Sequence, residues 1–246
     1  PGQGLWPLGF AEIATCLKSH RRGFKCESDS RKIPPGAPDL DEAVEFTRII
    51  VVTGTPGVGK TRFSRVLAKK LGAAYIDLGL LATREKLTVG FDRLRQTYIV
   101  DTKKMARALK KVLRCFSGNV VLDGHFAADV VPSELLNMVF VLRCHPEKLK
   151  RRLRRRKVPG RKIAENVRAE ILDGCLWDAV NNYGLERVCE IDVSTKKTAA
   201  AVAQALKVLK NRSKRRVGIV DWLGLLERQS LLEKYFNEHS NRGAVE

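Results

Sequence analysis

The 246-residue chain is 44% hydrophobic, enough apolar material for one sizeable buried core, and no apolar run approaches the ~20 residues a membrane-spanning helix needs. Its six cysteines show neither a Cys-x-x-Cys pair nor metal-ligand spacing with the four histidines, and no basic-then-apolar leader pattern is present; a reduced, cytoplasmic protein is expected, and a disulfide scaffold, zinc module or membrane protein is not. The formal net charge of +19 points to anionic partners, and its placement along the chain says where.

Residues 1–46 carry Pro, Gly and Ser clusters without a sustained period, and set six Lys/Arg against seven acids; they read as a poorly ordered extension. From Arg48 onward short apolar runs alternate with amphipathic segments, the pattern of parallel βαβ units. The first run, a strand predicted at Ile49–Thr53, leads into Gly54-Thr-Pro-Gly-Val-Gly-Lys-Thr61 and a helix over Lys60–Leu71. This is a phosphate-binding loop in the context such a loop requires. Gly57 and Gly59 let consecutive backbone N–H groups converge on a phosphate, and the helix aims its positive end at the same anion. Lys60, expected to be solvated until nucleotide arrives, bridges the β- and γ-phosphates, and the Thr61 hydroxyl reaches Mg²⁺.

Further strands are predicted at Ala74–Leu78, Val120–Asp123, Met138–Arg143 and Cys189–Val193, and helices over Thr102–Phe116, Pro146–Arg156, Ile163–Asn181 and Thr198–Asn211. The result is an α/β fold, a five-stranded parallel sheet with helices on both faces. The excursion 77–100 is too long for an ordinary connection and reads as a lid or binding segment, in which Arg93 and Arg95 neutralise a second phosphorylated substrate. Asp123, at a strand end, is placed to hold Mg²⁺ or its water shell opposite Thr61, the plain alternative being a cap. His125, two residues on, would share Asp123's side of an extended chain; it reads equally as a group positioning water or phosphate and as a structural histidine.

Between Arg143 and Arg168 stand twelve basic residues against Glu147 and Glu165, interrupted by Pro159-Gly160 as in a mobile flap joining two helices. Arginines delivered by closure neutralise the charge of a phosphoryl-transfer transition state. A second tract, Lys207–Arg216, holds six basic residues and no acid; it reads either as a solvated helix face or as contact for an anion such as RNA. The apolar stripe from Val217 to Leu226 predicts a docked helix within a C-terminal extension, 213–246.

Together, Gly54–Thr61, Tyr75-Ile-Asp-Leu-Gly79, Gly90-Phe-Asp92, Val121-Leu-Asp-Gly-His125, Val139–Arg143, Arg152-Leu153, Arg156 and Lys162-Ile-Ala-Glu-Asn-Val-Arg-Ala-Glu-Ile171 resemble, in order and spacing, the adenylate kinase isoenzyme six family. That family includes archaeal proteins assigned as adenylate kinases and a eukaryotic ribosome-assembly ATPase. The resemblance covers about residues 48–212 and implies a P-loop NTPase fold of the nucleoside monophosphate (NMP) kinase type with a lid. It further implies a broad-specificity kinase (ATP + AMP = 2 ADP) with ATPase activity, using ATP and Mg²⁺. Late maturation of the small ribosomal subunit and its 16S rRNA, through ribosomal protein uS11 and the subunit precursor, is also implied. By position, the kinase domain spans 47–212, with the monophosphate segment at 77–100 and the lid at 155–165. Gly57, Gly59, Lys60, Thr61 and Arg62 correspond to the ATP-binding loop, Arg156 to an ATP-contacting lid arginine, Thr61 and Asp123 to the metal site, and Lys60, Asp123, His125 and Arg156 to the catalytic set. The sequence departs from the family at Arg62, where Thr or Ser is common, at Leu80, often Asp, and at Lys157, commonly Gly.

Overall fold

The computed structural model describes residues 48–93, 97–115 and 118–236; the expected extension 1–46 and Arg95 lie outside them. In chain order the elements are β1 (Ile49–Thr53), α1 (Lys60–Leu71), β2 (Ala74–Asp77), α2 (Leu78–Arg84), β3 (Thr88–Asp92), β4 (Thr97–Val100), α3 (Thr102–Cys115), β5 (Val120–Asp123), α4 (Ala127–Val130) and β6 (Met138–Arg143). They continue with α5 (Pro146–Arg155), α6 (Gly160–Ile171), α7 (Gly174–Tyr183), β7 (Val188–Asp192), α8 (Thr198–Leu209), α9 (Trp222–Arg228) and α10 (Glu233–Phe236). The parallel sheet has the order β2-β5-β1-β6-β7. Its central strands β1 and β6 read as nearly unbroken apolar runs and are buried at every residue, as strands covered on both faces are.

The described residues divide into two compact units: those from Arg48 to Val52 with those between Ser64 and Met138, and Thr53–Phe63 with those from Val139 to Phe236. In the first, β5 pairs with β1 and β2 so that Asp123 stands in register with both Val52 and Asp77, at the carboxyl ends of the strands. Asp77 caps α2, its Oδ1 accepting from Leu80 N at 3.0 Å. Asp101 caps α3 in the same way through Lys104 N, at 2.9 Å. The excursion expected at 77–100 consists of α2 and an antiparallel hairpin, β3–β4, with a bulge between Thr88 and Gly90.

In the second unit, Pro146 sits in the first turn of α5, where its missing N–H costs nothing. The single helix expected over 163–181 is two. Asp173 takes φ +57° and breaks it, and α6 starts earlier, at Gly160 behind Pro159. The last strand also sits one residue earlier than expected, at Val188–Asp192. After the stripe Val217–Leu226 the chain forms two short helices: Trp222 and Leu226 of α9 are buried, and beside α10 Arg168 on α6 donates to Tyr235 O at 2.7 Å while Lys234 Nζ pairs with Glu147 at 2.8 Å.

Candidate nucleotide-binding site

β1 delivers the chain, buried, to a loop whose three glycines all adopt positive φ: +134° at Gly54, +99° at Gly57 and +117° at Gly59. Two are also fixed by proximity. A Cβ on Gly54 would lie 2.4 Å from the Leu142 carbonyl oxygen, and one on Gly57 2.7 Å from the Leu153 side chain; at Gly59 nothing lies within 4 Å. α1 starts at Lys60, so its first-turn N–H groups have no partner within the helix and face the loop mouth. Lys60 differs from expectation. Its ammonium donates to Gly54 O at 2.7 Å and Thr55 O at 3.2 Å, so the half-buried side chain curls over its own loop, where carbonyls replace water.

Beside the loop is a cleft of about 490 Å³, lined by Gly57, Val58, Gly59, Arg62, Phe63, Leu142, Arg152, Arg155, Arg156, Val193, Lys196, Thr198 and Ala201. Five of these carry positive charge and none negative. The structure thus brings Gly57, Gly59, Arg62 and Arg156, all named from the sequence, to one cleft and adds three cations to which sequence reasoning gave no role. Arg152 is a strut, donating to Val58 O at 2.7 Å and Val193 O at 3.3 Å, and so ties the loop to the end of β7. Arg155 and Arg156 close α5, and the chain turns at Lys157, whose φ of +55° is the left-handed conformation that the family's glycine adopts without strain. The joint between α5 and α6 is only residues 156–159.

Under the loop lies a buried ionic cluster. Thr55 Oγ1 donates to Glu170 Oε2 at 2.5 Å, and Glu170 Oε1 accepts from Arg143 Nε at 3.0 Å, Cys144 N at 2.9 Å and Trp222 Nε1 at 3.2 Å. Arg143, 2% exposed, also donates to Glu170 O at 3.0 Å, to Glu190 Oε1 at 2.6 Å and to Asp173. Burial by itself lowers the Arg143 pKa, but Glu170, Asp173 and Glu190 outweigh it and hold the guanidinium above its usual value. Burial pushes the Glu190 carboxyl up despite its bonds from Ile219 N and Arg143; it loses more to desolvation than those partners return. The cluster satisfies every oxygen of Glu170, as a buried carboxylate requires. It links the phosphate loop to α6 and to the C-terminal segment through Trp222. Arg143 and Glu170 both stand within the family motif, which marks them without giving their roles; only the fold brings Thr55 and Trp222 to them. Cys144, Cys175 and Cys189 are free thiols, with burial raising each pKa, that of Cys144 to about 11.

In the other unit Asp123 is 3% exposed and accepts from Tyr75 Oη at 3.1 Å. Burial and the charges of Asp123 and Asp77 push the Tyr75 phenol pKa up, so it stays a donor. β5 stops at Asp123 and the chain turns at His125, so the extended alternation linking the two does not reach the histidine. His125 is exposed and packs edge-on against Phe126, with ring centroids 5.1 Å apart. The hairpin β3–β4 exposes Phe91 and Tyr98, their rings 5.1 Å apart, and leads into Arg93; Leu80 on α2 is 48% exposed.

Among the described residues no helix is long and apolar enough to cross a membrane, and no group of three or more His, Cys, Asp or Glu forms a metal cage. Mg²⁺ needs none here, since it binds through one or two protein oxygens and the phosphates of its nucleotide. A glycine loop opening a helix at the carboxyl edge of a parallel sheet, beside a cation-lined cleft, defines a P-loop enzyme of the kinase type.

Residues 50–173 match the family described as AAA domain. The chain is 39% identical over 175 residues to a protein of Thermococcus onnurineus named "Putative adenylate kinase", covering 71% of this chain and 91% of that protein. Proteins of the same name from Pyrococcus furiosus (39% over 180 residues, 73% and 93%) and Methanocaldococcus jannaschii (35% over 190 residues, 76% and 95%) are similar to it. The chain belongs to this family. Among solved structures, shikimate kinase from Acinetobacter baumannii matches at 21% identity and TM-score 0.48, over 70% of this chain and 98% of that one.

Proposed function

We propose that the protein transfers the γ-phosphoryl group of Mg-ATP to AMP or a related nucleoside monophosphate, as a member of the adenylate kinase isoenzyme six family, and hydrolyses ATP when water takes the acceptor's place. The observation that carries this reading is the cleft at the loop, with five cations and no carboxylate. Such a cleft is unfavourable when empty of anions and is relieved by a polyphosphate.

Lys60 exchanges the Gly54 and Thr55 carbonyls for β- and γ-oxygens, while the loop amides from Gly57 to Thr61 hold the β-phosphate. Thr61 and Asp123 organise Mg²⁺; what supports Asp123 is its strand-end position, in register with Val52 just before the loop. Arg62 offers an outer phosphate contact. Arg156, with Arg155 beside it, neutralises charge that spreads over the phosphoryl oxygens in the transition state. His125 positions water or acceptor. The acceptor monophosphate enters at 77–100, with Arg93 and Arg95 as its cations. ADP formation measured with ATP and each monophosphate in turn tests the reading: AMP should raise turnover several-fold over ATP alone.

A second reading is an ATP-driven assembly factor for the small ribosomal subunit, acting in 16S rRNA maturation in the cytoplasm and binding uS11, the subunit precursor and RNA. One observation favours it, the net charge of +19 with a tract at 207–216 that holds no acid. Turnover stimulated by the ribosomal partner and indifferent to AMP would select it.

A further inference from the structure

The cationic tract that the nucleotide cleft leaves unused has a shape of its own. Ala200, Ala203, Gln204 and Lys207, spaced three, one and three apart, form one face of α8, and its small side chains leave a groove. The opposite wall is the strap Ser213–Arg216, fixed along the outer edge of β7 by Glu190 N donating to Arg216 O at 2.7 Å and, just beyond, by Ile219 N donating to Glu190 Oε2 at 2.8 Å. The space between holds about 520 Å³, with Cys189 among its lining.

Four cations line it, Lys207, Lys214, Arg216 and Lys196, the last shared with the nucleotide cleft, and no acid does. The Glu190 carboxylate nearby is committed to Arg143 and Ile219, and Lys196 Nζ donates to the neutral Gln204 at 2.9 Å. Among the described residues Lys207, Lys214 and Arg216 form no ion pair. Four uncompensated charges around a groove whose helical wall, from Ala200 to Lys207, is about 10 Å long at 1.5 Å per residue exceed what one phosphate group needs and suit a chain of them. No aromatic residue lines the groove, so bases have no platform on which to stack.

We propose that this groove binds single-stranded nucleic acid by its phosphodiester backbone, with little preference for base sequence. The proposal deepens the RNA contact of the second reading and gives it a place. It leaves phosphoryl transfer at the loop as a separate function.

The test is fluorescence anisotropy with a labelled 12-nucleotide oligouridylate, on the full chain and on Lys207→Gln/Lys214→Gln/Arg216→Gln, over 50–200 mM KCl. Four phosphate contacts give a slope of log affinity against log salt of about −3 for a single strand, which is about sixty-fold over that range. The triple variant should flatten the slope to about −1 and lose most of the affinity at 50 mM, and an oligocytidylate should bind the wild type within about threefold of the oligouridylate. These exposed side chains hold nothing in the fold, and unchanged circular dichroism confirms it. Equal binding by wild type and variant would overturn the groove while leaving an RNA contact elsewhere intact. No binding by the wild type, or binding of inorganic polyphosphate in place of the oligonucleotide, would overturn the groove and the RNA contact together, without touching AMP-dependent ADP formation.

Discussion

Replacing Thr55 by valine removes one hydroxyl from beneath the phosphate loop and keeps the shape of the side chain. Thr55 is 1% exposed and Glu170 2%, and the 2.5 Å bond between them is the loop's tie to α6. A buried hydrogen bond to a charged group is worth about 1.5–3 kcal/mol, and the methyl gained returns about 0.8 kcal/mol. A net loss of about 1–2 kcal/mol follows, read as a lowered urea midpoint without a change in slope. Thr55→Ser keeps the hydroxyl and should lose only the methyl's share, about 0.8 kcal/mol. The same pair separates stability from positioning. If the tie preorders the loop, Thr55→Val weakens ATP binding by about five- to thirty-fold, while Thr55→Ser binds within about twofold of wild type. ATP titration by calorimetry and urea unfolding decide together. A Thr55→Val protein with wild-type stability and affinity, or a serine variant as impaired as the valine, would refute the role given to Glu170.

Arg155→Ala/Arg156→Ala should lower kcat by about 10²- to 10³-fold with a much smaller rise in ATP Kd, since both residues line the cleft proposed to hold the transferring phosphoryl group; the reverse pattern would make them a binding clamp. Lys157→Gly should stabilise the fold by about 0.5–1 kcal/mol, because glycine removes the strain of φ +55°; a lower urea midpoint would contradict that. Burial holds the His145 pKa below its usual value, more than Glu147 and Asp192 raise it, and its ring packs edge-on against Trp222 with Nδ1 accepting from Glu147 N at 3.3 Å. A depressed histidine stabilises the fold above its unfolded pKa near 6.5 and loses that contribution as pH falls through the folded value, so the urea midpoint should drop between pH 7.5 and 5.5. His145→Asn, which keeps an acceptor for the start of α5, should flatten the drop, and an unchanged pH dependence would sink the assignment.

The loop, its strand and its helix were legible because glycine spacing and a four-apart apolar stripe are local properties. All five sheet strands lie where apolar runs predict them, within a residue at each end, since a strand covered on both faces is predominantly apolar, with Glu190 in the middle of β7 paired to Arg143. The hairpin β3–β4 was not legible: five to four residues long and mostly exposed, it buries no run and keeps Phe91 and Tyr98 outside. The break at Asp173 was hidden because a non-glycine residue takes the left-handed turn there, and the side chain that accepts from Arg143 is the same one. Thr55, Arg152, Glu170 and Trp222 carry no local signal of partnership. Their bonds join residues 26 to 115 positions apart, and only the tertiary fold brings them together.

The most direct test of the central claim is ADP formation from Mg-ATP with and without AMP, by the wild type and by Lys60→Ala. The wild type should form two ADP for each AMP consumed, at a rate that saturates with AMP. Lys60→Ala, which removes the bonds to the Gly54 and Thr55 carbonyls, should keep its circular dichroism and lose at least about 10²-fold in turnover. ADP release indifferent to AMP would contradict transfer to a monophosphate, and turnover in Lys60→Ala close to wild type would contradict phosphoryl transfer at this loop.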